Sequence, residues 1–74
     1  MSVLRDVAIR GDMIRLGQLL KLADVVDTGG ELKALLADTD VLVNGELEDR
    51  RGRQLRPGDV VTVAGDEFRV VAGD

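Results

Sequence analysis

Apolar residues recur at helical spacing near the start of the chain. They stand at i, i+3, i+4 and i+7, and they are Leu16, Leu19, Leu20 and Ala23. This spacing places all four on one side of a helix, where they form a stripe that can be buried. Gln18 and Lys21 lie off the stripe and are expected to face solvent. The pattern predicts a first helix that packs against the core through one face.

A second helix is predicted both by its start and by its apolar face. Residues 28–31 (TGGE) fit a capping box, in which the Thr28 hydroxyl accepts from a backbone N–H and the Glu31 side chain reaches back. Three leucines follow at i, i+3 and i+4: Leu32, Leu35 and Leu36. We interpret Gly29-Gly30 as a tight turn between the helices, because a glycine pair at a helix start is weak support for an anion site.

Short runs that alternate apolar and polar residues predict strands on either side of the helices. Residues 3–10 place Val3, Val7 and Ile9 on one side of a first strand, and Gly11-Asp12 follows as a turn. Residues 41–48 predict a hairpin around Asn44-Gly45, since both residues tolerate the positive φ angles of a two-residue turn.

The C-terminal part predicts two more strands. Residues 56–59 (RPGD) form a turn that leads into residues 60–63, and a reversal at Gly65-Asp66 returns the chain through residues 68–71. The predicted order is strand, helix, helix and four short strands. Two adjacent helices on one face of a small, mostly antiparallel sheet make an α+β fold, which we assign to a single domain, residues 1–74.

Composition excludes several kinds of function. The chain has no Cys for a disulfide or thiolate metal site, and no His, the commonest general base and metal ligand. No nucleophile–base pair is visible, so we predict neither an enzyme nor a cofactor. A metal site is not favoured, because the candidate carboxylates flank helix ends and turns, where Asp caps and solubilises. They are Asp24, Asp27, Asp38 and Asp40.

Neither a signal peptide nor a membrane span is predicted. Charged residues interrupt the first twelve positions, and no apolar run approaches the roughly 20 residues that span a bilayer. We therefore expect a cytoplasmic protein without a membrane partner. A ubiquitin-like sulfur carrier is set aside because such carriers end in Gly-Gly, whereas residues 72–74 read AGD.

The net charge of −4 hides one concentrated positive segment. Residues 50–56 read RRGRQLR, with four of the ten basic residues and no acid among them. The remaining six basic residues face fourteen acids elsewhere. An acidic body with one positive site suits a single localised anionic partner better than general coating of nucleic acid.

Four pieces of the sequence, in order, resemble a known family. They are RLGQLLKLA, GGELKALL, VNGE and RRGRQLRPGDVV, and they lie between residues 15 and 61. Together they resemble the S-four-type RNA-binding domain, or alpha-L motif, and most closely its small stand-alone bacterial members, the YbcJ-like proteins. The chain departs from that pattern at Gly29-Gly30, which replaces a common Ser-Arg, at Thr39, where Gly is common, and at Leu42, where a basic residue often stands.

The resemblance implies the alpha-L fold and binding of structured RNA, ribosomal or ribosome-associated. In such domains the two helices, the Asn-Gly turn and the following basic loop contact RNA. Carried over to this sequence, the contacts are Arg15, Lys21, Lys33, Asn44, Arg50, Arg51 and Arg53, with Arg56 at the edge.

The chemistry of the arginines agrees with a folded RNA as the target. A guanidinium donates to two phosphate oxygens at once, and Gly52 lets the loop bend along a backbone. Phe68 is the only aromatic residue, so the chain has no stacking platform for single strands. Two alternatives stay open: a protein-interaction adaptor that uses the same arginines, and a solvated loop balanced by neighbouring acids.

Overall fold

The computed structural model describes residues 3–73 and has an α+β architecture. Two helices and seven strands follow one another along the chain. They are β1 (Leu4–Ile9), β2 (Ile14–Arg15), α1 (Leu16–Leu22), α2 (Gly29–Asp38), β3 (Val41–Val43), β4 (Glu46–Leu47), β5 (Gln54–Leu55), β6 (Val60–Val63) and β7 (Asp66–Ala72). The predicted helices and longer strands are confirmed.

Five strands form one mixed sheet in the order β1-β7-β6-β3-β4. The pairs β7–β6, β6–β3 and β3–β4 are antiparallel, whereas β1 runs parallel to β7. The two-residue strands β2 and β5 form a separate antiparallel pair, which the sequence did not predict. This small pair joins the start of α1 to the segment after β4.

The core lies between the helices and one face of the five-stranded sheet. Leu16, Leu19 and Leu20 of α1 are fully buried, as the apolar stripe predicted, and Leu32 of α2 packs with them. Full burial of one such side chain stabilises the fold by roughly 1.5–3 kcal/mol. The strands supply alternate residues to this core: Ile9, Val41, Val43, Val61, Val63 and Val70.

Both hairpins use two-residue turns in which both φ angles are positive. Asn44 and Gly45 have φ of 52° and 84°, which confirms the predicted Asn-Gly turn. In the last hairpin, Ala64 and Gly65 take these positions with φ of 51° and 87°. The prediction of this turn at Gly65-Asp66 was wrong by one residue, because Asp66 already begins β7.

Two other local predictions need correction. Val3 is 53% exposed, whereas Val7 is partly buried and Ile9 is buried, so the three residues predicted to share one side of the strand differ in burial. Val3 precedes β1, which is an edge strand of the sheet. The cap of α2 is also shifted: the Thr28 hydroxyl accepts from the Glu31 N–H, but the Glu31 carboxylate accepts from Asp27 and not from Thr28.

Candidate nucleic-acid interface

Glu48 organises the segment between β4 and β5, residues 48–53, which we call the arginine loop. Only 7% of Glu48 is exposed, and it is the buried charged residue of the described chain. Its carboxylate accepts from the Arg50 backbone N–H at 3.1 Å and from Arg50 Nε and Nη2 at 3.1 and 3.3 Å. It also accepts from Arg53 Nη1 at 2.9 Å. One buried carboxylate therefore holds two arginine side chains.

These bonds fix the protonation states of the loop. The side-chain hydrogen bonds from Arg50 and Arg53 lower the pKa of Glu48 from 4.5 to about 2, although burial alone would raise it. The same bond to Glu48 raises the pKa of Arg50. The Glu48 carboxylate and the Arg50 guanidinium are therefore both charged at neutral pH.

The arginine loop is docked on the first turn of α1. The first backbone N–H groups of a helix lack partners within the helix. Here the Leu16 N–H donates to the Arg53 carbonyl at 2.8 Å, and the Gly17 N–H donates to the Arg51 carbonyl at 2.9 Å. Arg15, which precedes α1, adds a bond from Nη1 to the Gly52 carbonyl at 3.1 Å. The loop thus supplies the caps of the helix.

Gly17 permits this close approach. A Cβ at this position would stand 2.8 Å from Cδ2 of Leu32 and 3.4 Å from Cβ of Arg51. The first distance is shorter than real Cβ contacts, and Leu32 is buried in the core. Any larger residue at this position would force the Leu32 side chain, which packs in the core, to shift.

The loop separates two open grooves. Lys33 of α2 and Arg51 line one of them, together with Leu36, Ala37 and Asp49. Arg50 and Arg53 line the other, with Gly52 and Gln54. Five of the eight predicted site residues therefore come together, and we call this set the basic patch: Arg15, Lys33, Arg50, Arg51 and Arg53.

The basic patch differs sharply in charge from the rest of the protein. Its five cations and the adjacent Glu48 and Asp49 sum to +3, so the remainder of the chain carries −4 − 3 = −7. Within the described residues, the side chains of Lys33 and Arg51 form no hydrogen bond or ion pair and so keep all their donors. Such a surface can bind an anion and repels one everywhere else.

Two predicted cations stand apart from the patch. Lys21 lies in the last turn of α1, exposed, and its side chain has no bonded partner among residues 3–73. Arg56 precedes the turn at residues 57–58, and its backbone N–H donates to the Asp59 carboxylate at 2.8 Å. Their contacts to RNA stay predictions.

The exposed side-chain amide of Asn44 forms hydrogen bonds with other residues of the protein at both of its polar atoms. Its Nδ2 donates to Asp59 Oδ1 at 3.0 Å, and its Oδ1 accepts from the Val60 N–H at 2.9 Å. The side chain thereby ties the β3–β4 turn to the start of β6. Its predicted contact with RNA is not tested by this geometry, which shows a structural role for the same amide.

Sequence reasoning named Glu48 only among the neighbouring acids that could balance the arginines, and it missed Gly17. Glu48 stands among the acids Glu46 and Asp49, and its spacing of two and five residues before Arg50 and Arg53 is the only sign of its role. Gly17 is an isolated glycine within a helical pattern, which can mark a close backbone approach.

No cluster of three or more acidic side chains that could hold a metal ion occurs within residues 3–73. No helix of this described part is long and apolar enough to cross a membrane.

Comparison with known proteins gives two similarities. The family described as S4 domain matches residues 7–71 of this chain. The protein named "Probable ribosome maturation protein RlbA" from Bacillus subtilis (strain 168) is 52% identical over 66 residues. That alignment covers 88% of this chain and 93% of the relative, so the two proteins correspond over nearly their whole lengths.

Proposed function

The chain belongs to the S4 domain family, and we propose from this that it binds structured RNA through the basic patch, in a ribosome-associated role and without catalysis. The whole chain acts as one domain in this proposal, with α1, α2, the Asn44 turn and the arginine loop in the alpha-L arrangement. The proposal takes the five patch residues as the principal contacts. Lys21, Asn44 and Arg56 extend that surface.

The observation that carries the proposal is a positive patch held rigid on an acidic body. Phosphate contacts by Lys and Arg supply most of the affinity of proteins for nucleic acid. The arginine loop supports such contacts because Glu48 and α1 already fix its backbone, so less conformational freedom is lost on binding. The charge of −7 elsewhere limits RNA to this one face.

The ribosomal part of the proposal is supported by the relative's name. The Bacillus subtilis protein is called a probable ribosome maturation protein, and the alignment covers 88% of this chain and 93% of that protein. We therefore take a folded ribosomal RNA segment as the target of this chain.

A protein-interaction adaptor is the second candidate. Leu36 and Ala37 lie in the same groove as Lys33 and Arg51. A groove that is partly apolar and partly cationic also fits an acidic peptide with an apolar side chain. In that case RNA of any fold would bind poorly.

The first test is RNA binding at several salt concentrations. We would compare the unaltered protein with Lys33→Ala/Arg51→Ala, because neither side chain supports the fold through a described hydrogen bond. Each phosphate contact contributes about 0.7–0.9 to the slope of log K against log salt. The double variant should therefore lose affinity and about 1.4–1.8 of the slope.

Arg5→Ala/Arg10→Ala is the matched control. It removes the same two charges from β1 and the residue after it, at the sheet edge opposite β4. This variant should keep most of the affinity and of the salt slope. Equal losses in both double variants would contradict a localised site. Absence of binding at low salt would favour the adaptor, which an acidic peptide titration then tests.

A further inference from the structure

If the basic patch binds RNA, the negative charge of Glu48 opposes that binding. A carboxylate among the arginines lowers the positive potential that attracts phosphate. Its ionised form is nevertheless strongly favoured, since four hydrogen bonds from the loop end on its two oxygens. Its buried position and its four hydrogen bonds indicate that Glu48 has a structural role, and that this role matters more than the attraction of phosphate that its charge reduces.

The geometry leaves most of the arginine donors available. A guanidinium carries five N–H donors. Arg50 uses two of these on Glu48 and Arg53 uses one, so three and four remain. The Arg50 side chain is 75% exposed and that of Arg53 34%, while the Glu48 side chain beneath them is 5% exposed. The carboxylate binds the inner edges of both groups and leaves outer donors in solvent.

We propose that Glu48 is a positioning residue of the RNA site, which fixes Arg50 and Arg53 so that their free N–H donors meet RNA phosphates. The inference rests on the proposed function. Glu48 itself touches no RNA in this account. It acts through the two arginines and through the loop backbone.

The backbone connects Glu48 to the rest of the patch. The Arg50 N–H donates to Glu48, and the Arg50 carbonyl accepts from the Arg53 N–H at 3.2 Å. The Arg53 carbonyl in turn caps Leu16 at the start of α1. The carboxylate thus fixes the loop path from β4 to α1. Long arginine side chains otherwise lose much rotamer freedom on binding, which weakens affinity.

The test compares two variants that remove one negative charge from neighbouring positions. Glu48→Gln removes the charge and replaces one of the two acceptor oxygens by an NH2 donor, so the two arginines can no longer both be held as they are. Asp49→Asn removes the same charge from a residue that lines the Lys33–Arg51 groove and makes no side-chain hydrogen bond with a described residue. Charge alone predicts tighter RNA binding for both variants. If Glu48 positions the arginines, Glu48→Gln should weaken RNA binding, whereas Asp49→Asn should strengthen it.

We expect Glu48→Gln to weaken binding of a folded ribosomal RNA fragment on the order of tenfold, because the three side-chain bonds that orient the arginine donors lose their ionised acceptor. Asp49→Asn should tighten binding about two- to threefold at low salt. Affinity of Glu48→Gln that equals or exceeds that of the unaltered protein would overturn the proposal. If the unaltered protein binds no RNA, the proposed function is wrong and the role of Glu48 is wrong with it. This result is distinct from RNA binding that Glu48→Gln leaves unchanged, which contradicts only the role of Glu48.

A second measurement uses the unaltered protein and so does not depend on the folding of a variant. Side-chain nitrogen NMR should show that Arg50 Nε–H and Arg53 Nη1–H, the groups that donate to Glu48, are more ordered and exchange more slowly than the corresponding groups of Arg10 and Arg56. All four signals averaged alike would show that Glu48 does not hold the arginines, and this result also overturns the proposal.

Discussion

The arginine loop and the Asn44 turn use similar hydrogen bonding but leave different groups available. In the loop, one carboxylate orders two arginines, whose outer donors stay in solvent. In the turn, the Asn44 amide nitrogen donates to Asp59, and the amide oxygen accepts from Val60. Both regions are polar and exposed, and both were predicted to touch RNA. The two regions therefore differ in the donors that they leave for a partner, although both are polar.

Replacing Asn44 by Ala should give the largest effect on stability. The variant forces Ala into a left-handed φ of 52° and leaves the Val60 N–H without its side-chain acceptor. We expect a loss of about 2–3 kcal/mol in the free energy of unfolding, measured by urea titration. RNA affinity of the folded protein should fall less than in the Lys33→Ala/Arg51→Ala variant, because Asn44 lies outside the basic patch.

Asn44→Gly is the matched control, because glycine accepts this φ but offers no amide. It should recover about 1 kcal/mol relative to Asn44→Ala. A stable Asn44→Ala protein that no longer binds RNA would reverse the comparison and make Asn44 a direct contact, as the family resemblance implies.

Replacement of Gly17 or Gly30 by Ala should change stability less than Asn44→Ala does, and comparison of the two variants tests the contact between the arginine loop and α1. Each is the second residue of its helix, where Ala ordinarily stabilises by about 0.5–1 kcal/mol. Gly30→Ala should show this gain, since its Cβ would meet only the Thr28 hydroxyl, at 3.8 Å. Gly17→Ala should instead cost about 1–2 kcal/mol, because Leu32 and Arg51 must move.

Thermal unfolding of these two variants in parallel measures the sign directly. RNA affinity should fall only for Gly17→Ala, through displacement of the arginine loop. Equal stabilisation by both substitutions would mean that the loop does not need the close approach at α1.

Acid should produce a smaller effect, since Arg50 is largely in solvent and its pairing is screened. Glu48 has a pKa lowered from 4.5 to about 2 in the folded protein. Its contribution to stability is therefore present above about pH 4.5 and is lost as the pH falls toward 2. Glu48→Gln should show a shallower fall of the melting temperature across this window, and Asp49→Asn should keep the original fall.

The local elements could be predicted because their patterns are local. The α1 stripe and the Asn44-Gly45 turn follow from spacing and from the conformational range of single residues. The parallel β1–β7 pair and the β2–β5 pair could not, since their partners stand about sixty and forty residues apart and leave no periodic pattern. Even so, the α+β class followed from the order of the elements.

The sequence predicted the positive charge of the candidate site. It did not predict which residues of distant elements lie together there or how the arginines are held. The arginines of the loop are adjacent in sequence, and so their cluster is visible there. Lys33 reaches Arg51 only through the packing of α2 beside the loop. Glu48 resembles the acids around it until the fold buries it beneath two guanidinium groups.

The parallel pairing of β1 with β7 has a consequence for the order of folding. Leu4 pairs with Glu67, which is 67 − 4 = 63 residues later, and synthesis at about 5–20 residues per second separates them by roughly 3–13 s. Every residue of the basic patch is translated within that interval. Contacts between distant residues also slow folding, because a long segment must be closed before they form. The strand β7 therefore completes the domain, and its edge partner β1 stays unpaired until β7 has been translated.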